Sequence, residues 1–218
     1  MVKLPGTIPC SCPSRHPTPP FSTDYLTANP VPMSIRIYGN RPLKTLAGLD
    51  TRPTASRVRA ALFNIWQGSV VGCDWLDLCA GVGTMGAEAL ARGAATVTGI
   101  EMSPKACAVI RQNWGAIAQD HQQFHLYRGD LLRQLKRIRQ REFGRIYFDP
   151  PYGAGLYQRA LTYISDHKIL APTGELATEY DPKQWSPVVV GNLEPIRHKV
   201  YGNTAIAFYS QITNRNPA

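Results

Sequence analysis

From Cys73 onward, short apolar runs alternate with helical stretches, and this alternation constrains the chain more than any other feature. It is the pattern of a parallel sheet whose strands are joined by crossover helices. Asp74 to Cys79 reads as a strand, followed by a glycine turn and a helix over Thr84 to Arg92. Ala95 to Glu101 is the next strand, and Ser103-Pro104 supplies an N-cap and a first-turn proline for a helix from Lys105 to about Gln119. Phe124 to Tyr127 is a third strand, Asp130 caps a basic helix to about Gln140, and Arg145 to Asp149 is a fourth strand. A helix near Tyr157 to His167 and a strand Glu175 to Tyr180 follow. Lys199 to Tyr201 and Thr204 to Gln211 flank Gly202-Asn203, the signature of an antiparallel hairpin. The expected fold class is α/β and Rossmann-like: a mostly parallel seven-stranded sheet with a C-terminal antiparallel hairpin and helices on both faces.

The rest of the chain sorts around this sheet. Residues 1–32 carry eight prolines among Ser and Thr and show no periodicity, so a disordered tail is expected, with Met33 a candidate start and a transit peptide the rival reading. Residues 33–212 are expected to form the catalytic domain, with 33–72 a short N-terminal extension opening on the strand Ser-Ile-Arg-Ile-Tyr, and 213–218 a disordered C-terminus. With 44% hydrophobic and 18% charged residues, 218 residues suffice for one large domain with a real core. No apolar run approaches the roughly 18 to 20 residues of a membrane span. Five scattered cysteines without a CxxC argue against a disulfide framework and a zinc site, which fits a reducing cytoplasm, and the five histidines offer no ligand set, so no metal is expected. The 24 Lys and Arg against 15 Asp and Glu give a net charge of +9, which favours a polyanionic partner, nucleic acid first.

Gly81, Gly83 and Gly86 satisfy the G-x-G-x-x-G spacing between a strand and a helix. Glycine there lets backbone approach a ligand, and the N–H groups of the following helix attract an anion. Glu101, at the end of the second strand, can accept bonds from both hydroxyls of a ribose. A dinucleotide and an S-adenosyl nucleoside both satisfy these features. Asp77 favours the second, because an acid at the end of the first strand suits a ligand with an ammonium group beside its carboxylate, and would repel a pyrophosphate. Asp130, after Gly129, is placed to accept from an exocyclic adenine amine or to cap the following helix.

Asp149-Pro150-Pro151-Tyr152 is the most specific motif in the chain. Each proline biases the preceding residue toward extended backbone, so the segment leaves the sheet stiffly. The Asp149 carboxylate and the Pro150 carbonyl then present two acceptors to a planar NH2 group and favour the geometry in which its lone pair points at an electrophile. Tyr152 supplies an aromatic face for a base.

These motifs resemble those of the S-adenosylmethionine-dependent amino-methyltransferases of the DPPY type. Arg52-Pro-Thr-Ala-Ser-Arg57-Val-Arg59-Ala-Ala-Leu-Phe63-Asn64, Ala-Leu-Ala-Arg-Gly-Ala after the loop and Lys-Val-Tyr-Gly-Asn-Thr near the end narrow the resemblance to the RsmD family, over about residues 33–212. The chain departs from that family's usual pattern at Ser56 and Ala60, where Asp and Glu are common. The resemblance implies methyl transfer from S-adenosylmethionine to the N2 amine of a guanine in 16S ribosomal RNA. It also implies a cofactor site of Asp77, Ala80, Gly81, Gly83, Glu101, Met102, Asp130 and Leu131, with Asp149 to Tyr152 catalytic. Arg52, Arg57 and Arg59 are the expected RNA contacts, and the expected partner is ribosomal RNA within a partly assembled small subunit, met by a cytoplasmic monomer. Arg133, Arg137 and Arg141 also recur at helical spacing, though a solvated helix face explains them equally well. Adenine N6 and a protein glutamine are alternative amines. An NAD-dependent oxidoreductase would use the same glycine loop but leaves Asp149 to Tyr152 unexplained, and a non-catalytic RNA-binding module explains only the charge.

Overall fold

A computed structural model describes residues 35–46 and 53–212. The expected tail 1–32, the last residues 213–218 and Arg52 lie outside the described residues. An antiparallel pair, β1 (Ile35–Ile37) and β2 (Arg41–Leu43), forms a small sheet of its own, and α1 (Pro53–Ile65) follows. The main run is β3 (Asp74–Leu78), α2 (Thr84–Ala91), β4 (Thr96–Glu101), α3 (Pro104–Ile117), β5 (Gln123–Arg128), α4 (Leu131–Leu135), β6 (Phe143–Phe148), α5 (Leu156–Asp166), β7 (Leu170–Tyr180), β8 (Leu193–Tyr201) and β9 (Thr204–Gln211). The seven strands of the main sheet lie in the order β5-β4-β3-β6-β7-β9-β8. β5, β4, β3, β6 and β7 are mutually parallel, and β9 runs antiparallel between β7 and β8. The chain order reverses between β3 and β6, and in open α/β sheets the crevice at such a switch point, outside the carboxyl ends of the strands, is where ligands bind.

Two core layers sandwich the sheet. Leu76, Leu78, Ile146 and Phe148 point to one face and pack with Leu135, Leu161 and Ile164 of α4 and α5. Trp75, Val97, Tyr147 and Ala177 point to the other, under Phe63, Leu90 and Trp114 of α1, α2 and α3. Because side chains alternate along a strand, the second face also receives Asp77. Phe63 stacks on Trp75 at 5.2 Å between ring centroids, and Trp66 meets Trp75 edge-on at 5.5 Å.

The expected basic helix to Gln140 is a correction. α4 ends at Leu135, and the chain continues in tight turns in which the N–H groups of Arg137, Ile138 and Arg141 donate three residues back. Like charges at helical spacing repel, and here the arginines diverge: Arg137 lies over the Tyr127 ring, while Arg141 lies over Phe143 and donates to Thr98 Oγ1 at 3.1 Å. Elsewhere the differences are of extent. β7 begins at Leu170 and β8 at Leu193, earlier than the apolar pattern suggests, because their first residues pair with β6 and β9.

Candidate active site at the switch point

β3 delivers Asp77 to the crevice and the chain then turns through Cys79, Gly81 and Gly83, all at positive φ. The glycines are not equivalent. A Cβ on Gly81 would meet nothing within 4 Å, whereas one on Gly83 would lie 2.7 Å from Trp114 Nε1 and one on Gly86 2.4 Å from Trp114 Cζ2. Gly81 is therefore the residue that opens backbone to a ligand. Gly83 and Gly86 make room for the α3 indole, which donates to the Gly83 carbonyl at 2.7 Å.

Asp77 is 1% exposed, and its Oδ2 accepts the Gly86 N–H at 2.9 Å. Burial pushes its carboxyl up to about 7, the Gly86 N–H pulling the other way and the negative charge of Glu101 adding to the rise. A buried carboxylate in that condition favours a cation beside it. Glu101 bridges two backbones: one oxygen accepts the Gly81 N–H at 2.8 Å and the other the Ser103 N–H at 2.7 Å. Each oxygen keeps lone-pair capacity. Asp130 caps α4 through Oδ1, which accepts the Arg133 N–H at 3.0 Å.

Two cavities meet at Cys79. One, of about 280 Å³, is lined by Asp77, Ala80, Gly81, Tyr147, Asp149 and Glu179 together with Ile35, Thr45, Ser56 and Arg59 from the N-terminal segments. The other, of about 270 Å³, is lined by Glu101, Met102, Asp130, Leu131 and Pro151. Burial, with Glu101, Asp149, Asp77 and Asp130 adding to it, pushes the Cys79 thiol up to about 12, so it stays neutral and inert between the cavities.

Asp149 to Tyr152 follow β6, with Asp149 lining the first cavity and Pro151 the second. Pro150 is buried, while Tyr152 is 38% exposed with its hydroxyl 3.4 Å from Thr204 Oγ1 beside the turn of the β8–β9 hairpin. Sequence reasoning missed the pair beside them. The Tyr147 hydroxyl donates to Glu179 Oε2 at 2.5 Å, and burial raises the Glu179 carboxyl despite that bond. An acid at the carboxyl end of an apolar strand was the available signal.

The expected RNA cations part company. Arg57 is exposed. The Arg59 side chain is only 12% exposed, lies 3.3 Å from Glu88 and donates to the Arg36 carbonyl at 2.7 Å. Arg59 thus ties the N-terminal arm to α2 instead of standing free at the rim. Glu88 also accepts the Tyr38 N–H at 3.1 Å and Arg92 Nε at 2.8 Å. Buried Asn113 makes a second tie, accepting the Lys44 N–H and donating to the carbonyls of Lys44 and Val82, each within 3.0 Å.

The family model described as "Conserved hypothetical protein 95" matches residues 35–210. YlbH of Bacillus subtilis is 34% identical over 174 residues, 78% of this chain and 94% of that protein. Ribosomal RNA small subunit methyltransferase D of Escherichia coli (strain K12) is 29% identical over 183 residues, 81% of this chain and 90% of that enzyme. The solved structure of YhhF from Escherichia coli superposes with a TM-score of 0.72 at 30% identity, covering 82% of this chain and 98% of that one.

Proposed function

The chain belongs to the RsmD family of methyltransferases, and from that premise we propose that it transfers a methyl group from S-adenosylmethionine to the exocyclic N2 amine of a guanine in 16S ribosomal RNA. The observation that carries the reading is that Asp149, the first residue of the motif, lines the cavity that also holds buried Asp77. An amine-orienting motif thereby sits beside a cation-seeking carboxylate.

The residues fit this cofactor. Asp77 would hold the ammonium of the methionine end, with Gly81 leaving its carboxylate open to backbone N–H groups. Glu101 would take the ribose hydroxyls on the lone pairs that Gly81 and Ser103 leave, and Asp130 Oδ2 the adenine amine, with Ala80, Gly83, Met102 and Leu131 enclosing them. The bound cofactor supplies an electrophilic methyl on a sulfonium. Asp149 and the Pro150 carbonyl accept from the two amine hydrogens and turn the nitrogen lone pair toward that methyl, while Pro151 stiffens the turn and Tyr152 stacks the base. Once the nitrogen is alkylated and positively charged its proton is lost easily, and the Asp149 carboxylate or water accepts it. The exposed Arg57, with Arg52, would hold phosphate. A target guanine in a stack must be extruded to reach Tyr152. Three free thiols among the described residues and a ribosomal substrate agree with a cytoplasmic setting.

Labelled cofactor, purified small-subunit RNA and nucleoside analysis test the reading. N2-methylguanosine is expected, and label in N6-methyladenosine or in protein alone would overturn it. Asp149→Ala should lose methyl transfer while holding cofactor affinity within about three-fold, because its contacts are made to the substrate amine and its transition state.

A further inference from the structure

We propose that Glu179 determines base specificity: its carboxylate accepts the N1–H of the target guanine beside the acceptors that Asp149 and Pro150 offer to the N2 amine. The inference rests on the reading of the site given above and deepens it.

β6 and β7 run parallel with Tyr147 opposite Ala177 and Phe148 opposite Thr178. One residue further on, Asp149 and Glu179 leave the carboxyl ends of neighbouring strands, whose backbones lie about 4.8 Å apart. Alternation puts both side chains on the face of Tyr147 and Ala177, and both line the same cavity. Tyr147 holds Oε2 of Glu179, and among the described residues no other hydrogen bond reaches that carboxylate. Oε1 therefore keeps accepting capacity at the wall of the cavity, on a half-buried residue. A bound base would shut Glu179 off from water, and a carboxylate so covered is costly unless bonded; Glu179 is taken up neither by the cofactor contacts of Asp77, Glu101 and Asp130 nor by the orientation of the amine. A donor arriving with the substrate completes it.

Among the bases that carry an exocyclic amine, guanine is the one that brings such a donor. Its Watson–Crick edge presents N1–H directly beside the N2 amine, two adjacent donors for two adjacent acceptors. Adenine and cytosine set their amines beside a ring nitrogen with a lone pair, which would face the Glu179 carboxylate. A site built to bond a substrate N–H rejects analogues lacking it far more strongly than a difference in shape alone would allow.

2-Aminopurine isolates the contact, since it keeps the amine and lacks the N1 hydrogen. It is built by ligation into small-subunit RNA at the guanine that nucleoside mapping shows to be methylated. The wild-type protein should methylate it at least about 100-fold more slowly in kcat/KM than guanine. Glu179→Gln retains an acceptor for Tyr147 and can turn an amide N–H toward the bare ring nitrogen. It should slow guanine methylation about 10-fold and narrow the guanine to 2-aminopurine ratio by a similar factor, with the S-adenosylmethionine dissociation constant unchanged in calorimetry. Equal wild-type rates on the two bases, or an unchanged ratio in a variant with wild-type melting temperature, would overturn the proposal while leaving guanine methylation standing. Should the variant fail to fold, the wild-type comparison decides by itself. Label at a base other than guanine would overturn the functional reading and this inference together.

Discussion

Asp77 and Glu101 show how differently two acids at the ends of adjacent strands are used. Glu101 is spent in part on the fold, pinning Gly81 and Ser103, so its removal should do more than delete ribose contacts. Glu101→Ala is expected to weaken S-adenosylmethionine binding by about 1–3 kcal/mol and to loosen the glycine loop, measured by calorimetry and by amide exchange at Gly81. Asp77 has the opposite economy: a buried carboxyl with a pKa near 7 gains from a cationic ligand. Between the ordinary aspartate value and 7 the folded state of the free protein binds more protons than the unfolded state, so its stability falls as pH rises through that window, by up to about 4 kcal/mol. The raised Glu179 carboxyl acts in the same direction. Melting temperature of the free protein should therefore drop from pH 5 to pH 8, cofactor affinity should rise over the same interval, and Asp77→Asn should flatten both trends. Stability that climbed with pH would show that Asp77 is ionised throughout.

At the scale of elements, the crevice owes its shape to Trp114. Three glycines on two elements, Gly83 at the head of α2, Gly86 within it and Gly99 on β4, lie so close to that indole that a Cβ would come within 2.7 Å or less of it. Gly99→Ala is expected to cost about 1–3 kcal/mol by overpacking, read by chemical denaturation, whereas Gly115→Ala on the exposed side of α3 should be neutral or slightly stabilising. The strand and helix succession, the glycine loop and the Asp149 to Tyr152 motif were legible in the sequence because each depends on local spacing. Glu179 and Tyr147 were not, because their meeting depends on the register of β6 against β7, and register is a property of the pairing rather than of either strand. Trp114 escaped for the same reason: the G-x-G-x-x-G pattern shows that something must fit closely and does not show what. The basic run after Asp130 misled because spacing alone describes the helix that its charges would occupy, while the structure turns them onto Tyr127, Phe143 and Thr98.

For the molecule as a whole, the sheet and its helices take up most of residues 53–212, and within the described residues nothing is left over as a separate RNA-reading unit. On the proposed function, the described residues would meet RNA through exposed cations such as Arg57 and so read its shape. Small-subunit RNA organised by ribosomal proteins should be methylated far faster than a short hairpin, with binding that weakens steeply as salt rises. Arg57→Glu should lower RNA affinity without moving cofactor affinity, while Arg59→Glu, which breaks the tie to Glu88, should instead lower the melting temperature; equal loss of RNA affinity at unchanged stability in both would return Arg59 to the rim. Asn113 carries a consequence of a different order. One buried amide bonds the arm at Lys44 and the loop at Val82, so the order of the arm and the order of the glycine loop are coupled through it. Thermodynamic reciprocity then applies: if a cofactor that orders the loop tightens the grip of any ligand on the arm, that ligand must tighten cofactor binding by the same factor.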